Sequence, residues 1–306
     1  MTRPAAKRFR VRRAAVRLAA GLALVLLAIE LLARWNVRSE QAGRNYLGDR
    51  LFTEVVGNYG EPVILIAGLQ GSTRYWKPGF DQLAKDHRVI YVDLLGFGRS
   101  PWPDLAYTLD DQLSYLRRTL VALGATRNVT FVAHSFGTII AAHYAERYPD
   151  DVKRLFLLGA PVYDGEAEAR ERISEMSPLA AAFSLRPVLA REACLLMGAT
   201  RPLLKRLMPS LQPDLPPEVA SDAVLHTWPA FRGAMRNVIL AKPLAAPLAV
   251  VGWKVIFIHG TKDSVTPLPR IRALAGRVGG RVEVVASDHR HYAVAARPLL
   301  MKLITG

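Results

Sequence analysis

Two hydrophobic rhythms alternate along this chain. Segments at 63–67, 88–93, 129–132, 152–158 and 255–258, the first of them continuously apolar, have the length and β-branched content of strands buried in a parallel sheet. Weaker strand patterns lie at 51–56 and 282–285. Between the runs the period lengthens: Leu109, Leu113, Leu116, Leu120 and Leu123 recur every three or four residues, an amphipathic helix that Gly124 stops. Further helices are predicted over 76–85, directly after Ser135, over 271–278 and from about 293. Strand alternating with helix implies an α/β fold, with a mostly parallel sheet covered by helices on both faces. Residues 164–250 break this rhythm. They are rich in Ala, Leu, Met, Arg and Pro without a clear strand, and predict several short helices broken at Pro178, Pro187, Pro202, Pro209, Pro213 and Pro216-Pro217. An insertion that leaves a sheet late and returns to it reads as a helical cap.

The first 44 residues have a different pattern. A basic segment, with seven Lys and Arg before Leu18, leads into a stretch from 14 to 33 whose only charges are Arg17 and Glu30. Its uninterrupted apolar core, 18–29, reaches the ~20 residues of a bilayer span only if Arg17 snorkels and Glu30 lies near the far interface. No small-residue cleavage site follows, only Leu31-Leu32-Ala33-Arg34-Trp35, so an uncleaved signal anchor or transmembrane helix is expected rather than a removed signal peptide. The basic flank places the N-terminus in the cytoplasm and the domain outside, a single-pass membrane protein. The competing expectation is a basic amphipathic helix on a membrane surface or against the domain, which leaves the protein peripheral or cytoplasmic. The chain then divides into a basic tail and anchor at 1–44, a core at 45–163 and 251–306, and the cap at 164–250.

Composition narrows the classes. A chain of 306 residues, 51% hydrophobic and 22% charged, is neither disordered nor fibrous. Of its net charge of +15, +8 belongs to residues 1–44, and the rest is scattered Arg with no basic helix or zinc-finger spacing, so nucleic acid is not an expected partner. The one cysteine, Cys194, excludes an internal disulfide and a thiolate metal site.

The chemistry concentrates at Ala133-His134-Ser135-Phe136-Gly137, where a strand pattern gives way to a helix pattern at Ser135. This is the context of the G-x-S-x-G nucleophile elbow, with Ala133 replacing the first Gly; a Ser at such a turn is otherwise a helix N-cap. Other loops follow buried runs at Gly68-Leu69-Gln70-Gly71-Ser72-Thr73 and Asp93-Leu-Leu-Gly-Phe-Gly-Arg-Ser100, and at Leu158-Gly-Ala-Pro161 and His259-Gly-Thr-Lys-Asp263-Ser-Val-Thr-Pro267. Over roughly residues 50–304 these motifs, in this order, resemble the α/β-hydrolase family, in particular its capped members with a serine nucleophile. Ala67 stands where the family's His-Gly loop has His.

The resemblance implies a triad in the chain order Ser, acid, His. Ser135 is the implied nucleophile and Asp263 the implied acid, with an Asx-type turn as its alternative role. The base lies in Ser287-Asp288-His289-Arg290-His291-Tyr292. His291 is favoured because Pro298 follows it at the family's spacing, while Arg290 stands where the family has Gly, so His289 stays open. The implied oxyanion hole is the backbone N–H of Leu69 and of Phe136. Gly68, Gln70, Trp76, Trp102 and Trp228, together with Met197, are candidates to contact substrate. No metal or cofactor is implied. The implied activity is cleavage of a carboxylic ester or related acyl bond in a small-molecule substrate through an acyl-enzyme. Thioester or carbon–carbon bond hydrolysis on the same fold, and a non-catalytic binding module, remain the alternatives.

Overall fold

The computed structural model describes residues 3–77, 79–176 and 185–306. Seven strands form one sheet: β1 (Thr53–Val56), β2 (Glu61–Ile66), β3 (His87–Val92), β4 (Val129–His134), β5 (Val152–Leu158), β6 (Val255–Gly260) and β7 (Arg281–Val285), in the order β1-β3-β2-β4-β5-β6-β7. β1 runs antiparallel to β3 and every other pairing is parallel. The apolar runs sit in the middle of this sheet because each face is covered. Along β2, Ile64 and Ile66 point into one core with the helices α2 (Leu109–Ala122) and α3 (Phe136–Arg147), and Val63 and Leu65 point into the other. The second core is closed by Trp76 and Phe80 and by the short helices α10 (Tyr292–Ala295) and α11 (Arg297–Thr305).

The predicted helix over 76–85 is replaced by two 3₁₀ turns, Thr73–Tyr75 and Asp81–Lys85. The reason is local: Pro78-Gly79 places a residue without an N–H donor beside the weakest helix former other than proline.

Between β5 and β6 the chain forms α4 (Glu166–Met176), α5 (Pro187–Leu211), α6 (Pro217–Asp222), α7 (Trp228–Gly233) running into a π-turn at Ala234–Ile239, and α8 (Ala245–Val251). α8 belongs with the core rather than the cap to which the boundary at 250 assigned it, since Leu248 and Val251 join the cluster beneath α3. α9 (Leu268–Val278) follows β6. The break expected at Pro178 lies outside the described residues. Pro202 and Pro209, expected to end helices, sit inside the 25-residue α5.

Pro202 is accommodated by the N-terminal helix. A proline removes the hydrogen bond to the carbonyl four residues back, here Gly198. That carbonyl accepts instead from Asn36 Nδ2 at 2.9 Å, and Ala199 O from the same nitrogen at 3.2 Å. Asn36 lies on α1 (Arg3–Ala42), one continuous helix of 40 residues. Ala33 packs at Gly198, Glu40 pairs with Arg201 at 2.8 Å, and Gln41 Oε1 accepts from Trp102 N at 2.5 Å. The C-terminal quarter of α1 is therefore part of the folded body. The preceding turns are not: Leu18, Leu22, Leu24, Val25 and Leu31 are exposed. By length and composition, Arg12–Ala42 qualifies as a membrane span. At 1.5 Å per residue the helix is about 60 Å long, twice a bilayer core, so it has the length both to cross and to dock.

Candidate active site

Ser135 occupies the sharp turn between β4 and α3 with φ 48° and ψ −118°. A non-glycine residue there carries strain of about 1–3 kcal/mol, which the surrounding packing must overcome. That packing is close: a Cβ on Gly137 would stand 2.7 Å from Ala67 O and 2.9 Å from Ile66 Cγ2, so α3 lies against the end of β2 only because residue 137 has no side chain. Ala133, in place of the motif's first Gly, is fully buried in the core.

Two loops at the carboxyl ends of the strands complete the site. Asp263 follows β6, and its Oδ2 accepts from His289 Nδ1 at 2.9 Å and from the Tyr292 hydroxyl at 2.6 Å, while its Oδ1 accepts from Val265 N at 2.8 Å. Tyr292 is held in turn by Gly260 N, which donates to its oxygen at 2.7 Å. Burial opposes charge on Asp263, but the His289, Tyr292 and Val265 bonds outweigh it and hold the carboxyl well below the usual range. His289 Nε2 lies 2.9 Å from Ser135 Oγ. A carboxylate can only accept, so the proton sits on Nδ1 and Nε2 accepts from the Ser135 hydroxyl.

His291 lies elsewhere, which corrects the expectation drawn from its spacing to Pro298. Its Nδ1 is 2.7 Å from Asp288 Oδ1 and its Nε2 donates to Asp214 O at 3.0 Å, tying the loop to the cap. Burial lowers its pKa, but the Asp214 carbonyl and the Asp288 carboxylate more than compensate and raise it. The residue between the two histidines, Arg290, does the same work through Gln212 at 2.6 Å and Asp214 at 2.8 Å. Two consecutive tethers to the cap turn the loop so that only His289 faces Ser135.

His134 supports this arrangement from below. Its Nε2 donates to the His289 carbonyl at 2.8 Å and its ring stacks on Tyr75 at 4.9 Å. Burial pushes its pKa down to about 3, so it is neutral and carries its proton on Nε2.

Leu69 and Phe136 line the same cavity, of about 350 Å³, with Gly68, Gln70, Ser135 and His289. Phe136 is the first residue of α3, where no intrahelical carbonyl can accept its N–H. Gln70, at φ 63°, bonds across to the cap through His226 at 3.2 Å. Asp93 anchors the other end of this loop, accepting from Thr73 N at 2.5 Å and Arg99 N at 2.7 Å, and burial pushes its carboxyl up to about 6.

The three tryptophans are not in this cavity. Trp76 is a core residue packed edge-on against Phe80, Trp102 lies beneath Arg44 at the α1 junction, and Trp228 faces the outside of the cap. Met197, on α5, is likewise absent from the cavity wall. Its apolar lining comes instead from the cap residues Ile173, Leu215, Val219, Met235 and Ile239 and from Pro161 and Tyr163. Met235 and Ile239 are brought inward by the π-turn, which shifts the helical phase by about one residue. Among the described residues no group of three His, Cys, Asp or Glu side chains could hold a metal.

Similarity to known proteins is consistent with this geometry. The chain is 38% identical over 109 residues to a protein of Arabidopsis thaliana named probable lysophospholipase BODYGUARD 1, covering 34% of this chain and 23% of that one. It is 37% identical over 116 residues to Lipase 1 of Psychrobacter immobilis, 36% of this chain and 35% of that one. The alignments thus span only about a quarter to a third of these relatives. A solved carboxylesterase structure from Nitrososphaera gargenis superposes with a TM-score of 0.62 at 22% identity, over 83% of this chain and 92% of its own, and so shares the fold. A family model described as alpha/beta hydrolase fold matches residues 61–297, and the chain belongs to that family.

Proposed function

We propose that this protein is a membrane-anchored serine hydrolase that cleaves a carboxylic ester through an acyl-enzyme. The observation that carries this reading is the unbroken chain from Ser135 Oγ through His289 to Asp263, with both hydrogen bonds at 2.9 Å. Ser135 attacks the acyl carbon as His289 Nε2 takes its proton, and Asp263 holds the imidazolium that forms. The carbonyl oxygen, now negative, is stabilised by the Phe136 and Leu69 N–H groups. The proton on Nε2 then goes to the departing alkoxide, and a water repeats the sequence on the acyl-enzyme. His289 replaces His291 as the base in this scheme.

Substrate enters a cavity whose walls are mostly apolar, which favours acyl groups with a hydrophobic chain. The α1 span anchors the domain, and its basic N-terminal flank supports a cytoplasmic N-terminus with the active site outside. The test is hydrolysis of p-nitrophenyl esters of graded acyl length by the full chain in neutral detergent. Turnover that disappears with Ser135→Ala is expected. No turnover of any ester by a folded protein would move the reading to a non-catalytic module.

A further inference from the structure

A second concave surface lies on the outside of the cap, where α7 and its π-turn meet the start of α5. Its volume is about 440 Å³, within the range of clefts that hold small ligands. Trp228, Phe231, Val188 and Leu240 give it an apolar floor, and Val188 is 72% exposed. Its rim carries Arg170, Arg191, Arg232 and Arg236, and among the described residues no acidic residue lines it.

The four arginines differ. Arg170 is neutralised by Glu166, and Arg191 by Glu192 and by Glu30 of α1. Among the described residues Arg232 and Arg236 pair with no carboxylate, and they stand about one helical turn apart where the α7 helix runs into the π-turn. Two uncompensated guanidinium groups above an apolar floor complement an amphiphile with an anionic head, and guanidinium matches phosphate geometry in particular.

The groove's position supplies the source. Arg191 lines it and reaches Glu30, the residue that closes the apolar run of α1, at 3.3 Å. The rim is therefore within one side chain of the point where the candidate span leaves the bilayer. On the inner side Met235 lines both this groove and the Ser135 cavity. A methionine has no branched rotamer constraint, so the shared wall is a deformable one.

We propose that this groove binds an anionic phospholipid or lysophospholipid of the bilayer, its phosphate on Arg232 and Arg236 and its acyl chain over Trp228, Phe231 and Val188. The proposal rests on the reading of α1 as a membrane anchor, and it adds to the hydrolase a site that holds membrane lipid beside the catalytic cavity.

The test is calorimetric titration of the full chain in neutral maltoside micelles with dodecyl phosphate, dodecylphosphocholine and inorganic phosphate. Dodecyl phosphate is expected to bind, dodecylphosphocholine at least tenfold more weakly, and inorganic phosphate not measurably. The double variant R232E/R236E should lose at least tenfold in affinity with unchanged melting temperature, and R232K/R236K should retain binding within about threefold. Arg236→Gln serves in the same role, with a smaller loss, should the charge reversal fail to fold. Equal binding of the two dodecyl ligands, or R232E/R236E binding as the parent does, would overturn the proposal. Ser135→Ala should bind dodecyl phosphate as the parent does, which separates the groove from the catalytic reading. Flotation of the full chain with pure phosphatidylcholine vesicles tests the anchor independently of both.

Discussion

Tyr292 is the residue whose removal tests the electrostatics of the site most sharply. Its hydroxyl donates to Asp263 at 2.6 Å and accepts from Gly260 N at 2.7 Å, and its ring is fully buried. Tyr292→Phe keeps the ring and deletes both bonds. A hydrogen bond to a charged acceptor is worth about 1.5–3 kcal/mol, and leaving the Gly260 N–H without a partner adds about 1–3 kcal/mol. A net loss of about 2–4 kcal/mol follows if the two overlap, or roughly 5–15 °C in melting temperature for a domain of this size. The pH dependence has a definite sign. Asp263 has a folded pKa below its unfolded value, so the stability it contributes is present above the unfolded carboxylate range and is lost as pH falls through the folded pKa. Losing about 1.5–3 kcal/mol of that preference raises the folded pKa by about 1–2 units. Melting curves between pH 3 and 8 should therefore show the gap between Tyr292→Phe and the parent widest above the unfolded carboxylate range and narrowing as pH falls below it, the variant having the shallower acid limb, with ester hydrolysis reduced about tenfold at neutral pH. The reasoning fails if the variant melts within about 2 °C of the parent at pH 7 and shows the same acid limb, a difference of under ~1 kcal/mol.

Other positions follow from the same geometry. Gly137→Ala should abolish activity and destabilise by about 1–3 kcal/mol or more, because its methyl would meet Ala67 O at 2.7 Å; a melting curve within 1 °C of the parent contradicts this. Arg201→Met should detach α1 from the cap. Arg201 is buried, pairs with Glu40 and donates to the Val224 and His226 carbonyls, so its loss should cost about 3–5 kcal/mol and expose the region around residue 42 to proteolysis. Asn36→Leu should have a smaller effect in the same assay, about 1–3 kcal/mol, by leaving the Gly198 carbonyl unpaired.

The parts of the fold that were legible in the sequence are those where one local rule decides. The strands at 63–67, 129–132 and 255–258 are apolar because both sheet faces are covered, and that pattern has no competing reading at their length. The elbow was legible because the switch of period at Ser135 coincides with a small-residue requirement at Gly137. What was illegible depends on long-range partners. Pro202 looks like a helix end unless Asn36, more than 160 positions away, takes the carbonyl it frees. Between His289 and His291 the local spacing to Pro298 favours the wrong one; the difference is made by Asp214 and Gln212 of the cap, which hold the rest of the loop. Trp76, Trp102 and Trp228 were drawn to the substrate by size alone, and size cannot tell a core tryptophan from a pocket one. Tyr292 left no signal except its place at the start of the last helices, and its role is set by where β6 ends.

The central claim is that Ser135 is activated by His289 and not by His291. Labelling of the full chain with a fluorophosphonate probe, comparing Ser135→Ala, His289→Ala and His291→Ala, tests it most directly. The expected result is no labelling with Ser135→Ala, labelling slowed at least a hundredfold with His289→Ala, in line with the contribution of a general base, and labelling within about threefold of the parent with His291→Ala. Rapid labelling of His289→Ala together with loss of labelling in His291→Ala would contradict the account.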